Sequence, residues 1–307
     1  MIFKRAALIH NPVSGRRSRR RDEKIEGTRS ILKQWVPQVE VLTTSRAGDA
    51  SRLAKEAVAA DYDLIAVSGG DGTINEAIDG MADSDSALLP LPFGTANVLA
   101  ELTGIPLQPE HAASLLPKMK TFEVPLGCVH NATTTGSGRL FLLMCGVGVD
   151  AGVIYSLDNR LKTYLGEGAY WLGSLDQLHR KLEPFSVHIN GKTYEATFVL
   201  VSKSRCYGGG LVITPDADLL ASEFEIAIFH GRSPLRYVAY LAQLATRQLN
   251  SFSDVTFTRS QRVEFTPIGT VPVYLEVDGE LAGRIPATVN IAPKTLKLLL
   301  PQNFSAR

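Results

Sequence analysis

The sequence predicts an N-terminal α/β domain with a doubly wound sheet over residues 1–124. A mainly antiparallel β domain with a few helices follows over residues 125–307, its last residues free to return to the first domain. Three observations predict this. Strand-like and helix-like runs alternate as far as about Val124, the signature of a parallel sheet covered by helices. Turn-forming loops follow three of those strands at their carboxyl ends, where open α/β sheets bind ligands. After Pro125 strand-like runs dominate, and Asn190-Gly191 between two of them is a hairpin signal.

A length of 307 residues suits two domains. With 45% apolar and 21% charged residues the chain has the composition of a soluble globular protein. A net charge of +1 gives no bulk field that calls for nucleic acid. Cys128, Cys145 and Cys206 have no metal-like spacing, and so sparse and odd a count fits a reducing cytosol. No apolar run approaches a membrane span, and the N-terminal one is too short for a signal peptide.

Residues 2–9 read as the first strand, ending in Asn11-Pro12-Val13-Ser14-Gly15, where a Pro-x-x-Gly turn makes a loop. Arg16-Arg17-Ser18-Arg19-Arg20-Arg21 comes next. Arginines at a helix start oppose its dipole, so the run is either a solvated face or a contact for triphosphate or anionic lipid. Residues 25–36 read as helix and 39–43 as the second strand; residues 43–50 lead into a helix through Ala60. Residues 63–67, short, apolar and partly β-branched, read as a buried parallel strand.

Ser68-Gly69-Gly70-Asp71-Gly72-Thr73-Ile74-Asn75-Glu76 follows that strand, and Ile74, Ala77, Ile78 and Met81 then recur at helical spacing. A strand thus feeds a glycine turn that opens a helix. That leaves backbone N–H groups at the positive end of the helix dipole, which suits phosphate. The chain has no Walker A loop. Asp71 would repel phosphate, so it fits a ribose hydroxyl, a metal, a metal-bound water or a proton; a plain turn with Asp71 or Thr73 as N-cap is the alternative. After a short strand at residues 87–89, Pro90 to Ala100 forms a second phosphate-capable turn.

Gly69-Gly70-Asp71-Gly72-Thr73 with Asn75-Glu76 resembles the diacylglycerol kinase catalytic-domain family of lipid kinases, relatives of sphingosine kinases that share the Gly-Gly-Asp-Gly-Thr core with NAD kinases. Asn11 to Gly15, Pro92 to Asn97 and Asp278-Gly279-Glu280 resemble further blocks of that family, so the likeness spans nearly the whole chain. It implies a fold of the NAD kinase and diacylglycerol kinase type, with ATP and Mg2+. Asn11 is then near the base or ribose, and Ser14 and Gly15 are near the phosphates. Thr44, Gly69, Gly70, Gly72, Thr73, Gly94, Thr95 and Asn97 join them around the nucleotide. Asp71 would hold nucleotide or magnesium-bound water, and Glu280 would be the general base, facing the phosphate loops. Two plainer roles stand beside these: Thr44 satisfying turn backbone, and Glu280 as an exposed strand residue after an Asp-Gly turn. Val98 replaces an aspartate common in diacylglycerol kinases, which leans toward sphingosine kinase-like relatives.

In the second domain, strands are expected over residues 140–145, 187–189, 194–202, 224–229, 255–258, 263–265 and 274–277, with helices over 165–182 and 234–249. Gly146-Val147-Gly148-Val149-Asp150-Ala151 spells a dinucleotide fingerprint, but no βαβ unit follows it. The resemblance makes Asp150 a candidate for the substrate head group, and Lys162 a candidate for phosphate where a surface lysine is the plainer account. Gly208-Gly209-Gly210 through Pro215-Asp216-Ala217 matches a segment that supplies a structural magnesium site in some relatives; Ala221 and Ser222 depart from it, so the metal ligands are unknown.

The expectation is a cytoplasmic lipid kinase, peripheral to the inner face of the membrane, with no transmembrane segment, no nucleic acid and a homodimer allowed. It moves the γ-phosphoryl group of ATP to a lipid hydroxyl of diacylglycerol or a sphingoid base. The rivals are an NAD kinase-like enzyme with a soluble acceptor and a non-catalytic nucleotide or lipid sensor.

Overall fold

The computed structural model describes residues 3–15, 21–134, 138–148, 182–208, 211–245 and 253–305. The chain divides into two compact units, Met1–Leu126 with Ala292–Ala306, and Gly127–Ile291.

The first unit alternates strand and helix: β1 (Arg5–His10), α1 (Arg21–Leu32), β2 (Gln38–Thr43), α2 (Asp49–Ala59), β3 (Leu64–Gly69), α3 (Asp71–Met81), β4 (Ala87–Pro92), α4 (Val98–Thr103) and α5 (Pro109–Ser114). The sheet order is β2-β1-β3-β4, all parallel. Every residue of β3 and β4 is buried, which is why neither strand alternates polar with apolar positions. The C-terminal strand joins β4 in parallel, with Lys297 opposite Ala87. Strand order reverses between β1 and β3, so the loops after those two strands open side by side at the switch point where ligands bind in such sheets.

The second unit is a sandwich. Its strands are β5 (Met119–Asn131, which begins in the first unit), β6 (Arg139–Phe141), β7 (Met144–Gly148), β8 (Phe185–Ile189), β9 (Lys192–Ala196), β10 (Phe198–Ser202), β11 (Cys206–Gly208), β12 (Leu211–Val212), β13 (Phe224–Phe229), β14 (Val255–Ser260), β15 (Arg262–Pro267), β16 (Tyr274–Val277), β17 (Glu280–Arg284) and β18 (Ala287–Pro301). A helix, α6 (Pro234–Ala245), precedes β14. One sheet runs β14-β13-β10-β7-β16-β17; β9, β8, β15 and the start of β18 belong to the other. Phe185, Val187, Phe265 and Val289 of one sheet and Val147, Val199, Ile226 and Val277 of the other share one buried core.

Two expected strands are each broken in two. Residues 194–202 change sheets at Thr197, whose hydroxyl bonds the Gly231 carbonyl at 2.6 Å and the Tyr237 hydroxyl at 2.8 Å. Residues 140–145 are interrupted at Leu142 and Leu143, whose amides turn to the Asp278 carboxylate. The second run, Leu140 to Cys145, is buried and apolar throughout, so hydropathy does not mark its break; in the first, the exposed Glu195 and the polar Thr197 precede the buried apolar Phe198 to Val201. Asn190 and Gly191 take φ of 51° and 77°, and the hairpin between β8 and β9 forms as the sequence predicts. Gly146 to Gly148 lie within β7, an antiparallel strand, so the fingerprint-like spelling is no Rossmann turn.

Candidate active site

Three loops of the first unit meet at the carboxyl ends of its strands. After β1, the Asn11 side chain folds back to take the Val13 amide and donates from Nδ2 to the Thr73 hydroxyl at 2.8 Å. Ser14 Oγ lies 3.4 Å from both that hydroxyl and the Gly70 amide. After β3, Gly70 is the N-cap of α3 in extended conformation, and having no side chain it supplies no cap. The amides of the first turn, at Gly72 and Thr73, have no partner within the helix. They stand at the positive end of an 11-residue helix, a geometry made for an anion. Ser68 Oγ and Asn75 Oδ1, in the same stretch, are buried without a hydrogen-bond partner among the described residues.

The loop after β4 packs against this one through glycine. A Cβ on Gly94 would sit 2.5 Å from the Gly70 Cα, and one on Gly15, at φ 69°, would sit 2.3 Å from the Phe93 carbonyl oxygen. These glycines are required because backbone meets backbone. Gly94 donates to Asn97 Oδ1 at 2.8 Å, while Asn97, left-handed at φ 50°, returns a bond to the Gly94 carbonyl; Thr95 is exposed. At the expected second phosphate turn, the first amides of α4 meet an anion of the chain itself. Asp71 accepts from the Val98 and Leu99 amides at 3.1 and 3.2 Å, so its carboxylate caps α4. Burial pushes the Asp71 carboxyl up from its ordinary range, and the amides pull against that.

The loop after β2 is tied to the same centre. Thr44 is buried and its amide bonds the His10 carbonyl. The Gly48 amide donates to Glu76 at 3.0 Å, so the glutamate of the long motif holds a neighbouring loop. Asp49 accepts from the hydroxyl and amide of Ser45, and these bonds hold its carboxyl well below the usual range.

In the second unit, Asp278 and Gly279 form the turn between β16 and β17 at φ 47° and 85°. The Asp278 carboxylate accepts three amides, from Leu142, Leu143 and Met144, at 2.8 to 2.9 Å. It therefore fixes the break between β6 and β7. Glu280 begins β17, partly exposed, and takes a 2.6 Å bond from Arg139, which also holds the Leu281 carbonyl.

The segment expected to resemble a structural metal site lies in the same unit, between β10 and β13. Lys203 is fully buried and its ammonium donates to the Ala221 carbonyl. Burial lowers its pKa to about 8, with Asp218 opposing. Glu225 accepts the Asp216 amide at 2.8 Å, and burial raises its pKa to about 7. Among the described residues no group of three or more His, Cys, Asp or Glu could hold a metal ion. An ammonium of the chain stands on the carbonyl of this loop.

The comparisons with known proteins agree along both units. The diacylglycerol kinase catalytic domain family matches residues 5–129, and the YegS C-terminal NAD kinase beta sandwich-like domain matches residues 144–300. The chain belongs to the diacylglycerol kinase catalytic-domain family. The diacylglycerol kinase of Bacillus subtilis strain 168 is 28% identical over 98% of this chain and 97% of its own. That of Staphylococcus carnosus strain TM300 is 24% identical over 98% and 96%. Two crystal structures from Bacillus anthracis strain Sterne, the second described as a diacylglycerol kinase, cover 99% of both chains. They give TM-scores of 0.78 at 21% identity and 0.74 at 19%, a likeness of fold.

Within this kinase family frame, the structure brings together Asn11, Ser14, Gly15, Gly69, Gly70, Thr73, Gly94 and Asn97. Asp150, Lys162 and residues 16–20 of the arginine run lie outside the described residues. Sequence reasoning missed Lys203, Glu225 and Arg139. A lysine two residues beyond the apolar run Phe198-Val199-Leu200-Val201 was the available signal for the first.

Proposed function

We propose that the protein is an ATP-dependent lipid kinase that transfers a γ-phosphoryl group to the hydroxyl of a diacylglycerol or sphingoid-type lipid. The observation that carries this reading is the uncapped N-terminus of α3, flanked by Gly70 and by the Asn11, Ser14 and Thr73 side chains. A nucleotide's phosphates would meet the Gly72 and Thr73 amides there, with Ser14 and Thr73 offering hydroxyls. The buried, unpartnered Ser68 Oγ and Asn75 Oδ1 fit a polar ligand in the same place. Bound ATP supplies the phosphoryl group; the protein supplies position, charge neutralisation and a base.

The donor set argues for magnesium that arrives with the phosphates, since no all-protein cluster exists among the described residues. Asp71 acts first as the cap that locks the loops, and its carboxylate would hold nucleotide or magnesium-bound water. Glu280 is proposed as the base that takes the proton of the lipid hydroxyl, and Arg139 orients its carboxylate. The names of full-length relatives favour lipid over NAD as acceptor. Incubation of the full chain with γ-labelled ATP, magnesium and a panel of diacylglycerols, sphingoid bases and NAD tests this. Label is expected in lipid; label in NAD phosphate alone, or nucleotide binding with no acceptor labelled, overturns it.

A further inference from the structure

Eight large apolar side chains are exposed among the described residues, and four of them fall within one stretch of the second unit: Ile268, Val271, Tyr274 and Leu281. The stretch is a loop and a hairpin. Pro267-Ile268-Gly269-Thr270-Val271-Pro272 is exposed at all six positions and leads into β16. No charged residue occurs from Thr266 to Leu275. Tyr274 pairs with the exposed Arg284 across the hairpin, and Leu281 pairs with Glu276. Arg284 has no ion pair among the described residues, so a cation stands beside the aromatic ring and the uncharged loop.

We infer that this loop and hairpin dock on a lipid bilayer. The inference rests on the lipid-kinase reading only for why a bilayer is sought: the substrate is dissolved in one, and no helix among the described residues is long and apolar enough to cross it. The choice of bilayer over a second copy has its own ground. Among the described residues β17 is the edge of its sheet, the usual place for a second chain to add, but two of its carbonyls are already taken by side chains. Arg139 takes that of Leu281 at 2.8 Å and Asn131 takes that of Ala282 at 2.8 Å. What remains open is side-chain surface: two branched aliphatic tips on a proline-bounded loop, then a tyrosine and an arginine. Apolar tips enter the acyl boundary, while tyrosine and arginine sit at the headgroup level and favour anionic lipid. Leu281 directly follows Glu280, so docking here brings the proposed base to the surface that holds its substrate.

The test uses the full chain and the variant Ile268→Ser with Val271→Ser, neither residue being part of the binding or catalytic machinery. Sedimentation with vesicles of phosphatidylglycerol and phosphatidylcholine carrying dioleoylglycerol, without nucleotide, reads docking alone. Removing two half-exposed aliphatic side chains should weaken vesicle binding by roughly tenfold or more. Arg284→Gln should weaken it a few-fold on anionic vesicles and leave neutral ones unchanged. Turnover of a short-chain diacylglycerol present as monomers should not change, and light scattering should give the same mass for variant and wild type. Vesicle binding that survives the double substitution overturns the inference, as does a wild type that ignores vesicles. A loss of mass in the variant overturns it in favour of a second copy. Lost vesicle binding with no lipid ever phosphorylated leaves docking standing and removes the kinase reading instead.

Discussion

Each unit contains an Asp-Gly corner in which the aspartate is spent on backbone amides, and the two corners use that device differently. Asp71 takes two amides of a helix N-terminus, Val98 and Leu99, and so joins two neighbouring loops. Asp278 takes three amides of a broken strand, Leu142 to Met144, and creates the break that separates β6 from β7. In both, the residues after the aspartate carry the next polar groups: the uncapped amides of Gly72 and Thr73 in one, Glu280, held by Arg139, in the other. The aspartate of such a motif, which draws attention as a catalyst, holds the frame that presents its neighbours.

The sharpest test of that division is Glu280→Gln. If Glu280 is the base, kcat falls by about 10²–10⁴-fold. The melting temperature should move little, because the pair with Arg139 is partly exposed and such pairs contribute about 1 kcal/mol or less. Near-normal turnover with the best lipid would transfer the proton to another group.

Next in size is the pair Asp278→Asn and Asp71→Asn, compared by urea unfolding. An asparagine at 278 turns an NH2 toward at least one amide that needs an acceptor, and loses charge-assisted bonds, at a cost of roughly 2–3 kcal/mol. At 71 two bonds are at stake and burial already disfavours the charge, so the cost should be about 1 kcal/mol. Equal losses, or a larger loss at 71, would break the comparison.

The smallest effect is a pH dependence at a third carboxylate that holds an amide. Glu225 has its pKa raised from 4.5 to about 7 by burial, so the folded chain binds a proton that the unfolded chain has released. Its contribution to stability is therefore full below about 4.5 and declines as pH rises through 7. Glu225→Gln should flatten the fall in unfolding midpoint between pH 5 and 8; an unchanged slope would assign that fall to other groups.

The chain's own pattern determined the alternation of strands and helices in the first unit, the glycine loop that opens α3, and both Asn-Gly and Asp-Gly hairpins. Each is a local effect: periodicity, a dipole, a positive φ. Tertiary structure decided which polar groups those local elements consume. Asp71 lies 27 residues from the Val98 amide it caps, and Asp278 lies 136 residues from Leu142, separations no local pattern encodes. The same holds for the break at Thr197, whose hydroxyl finds its partners at Gly231 and Tyr237, 34 and 40 residues on, and for Lys203, whose ammonium meets a carbonyl only once the sheet has formed. Burial fixes these partners because an unpaired charge or amide inside the fold is costly, and that cost exists only after the chain has folded.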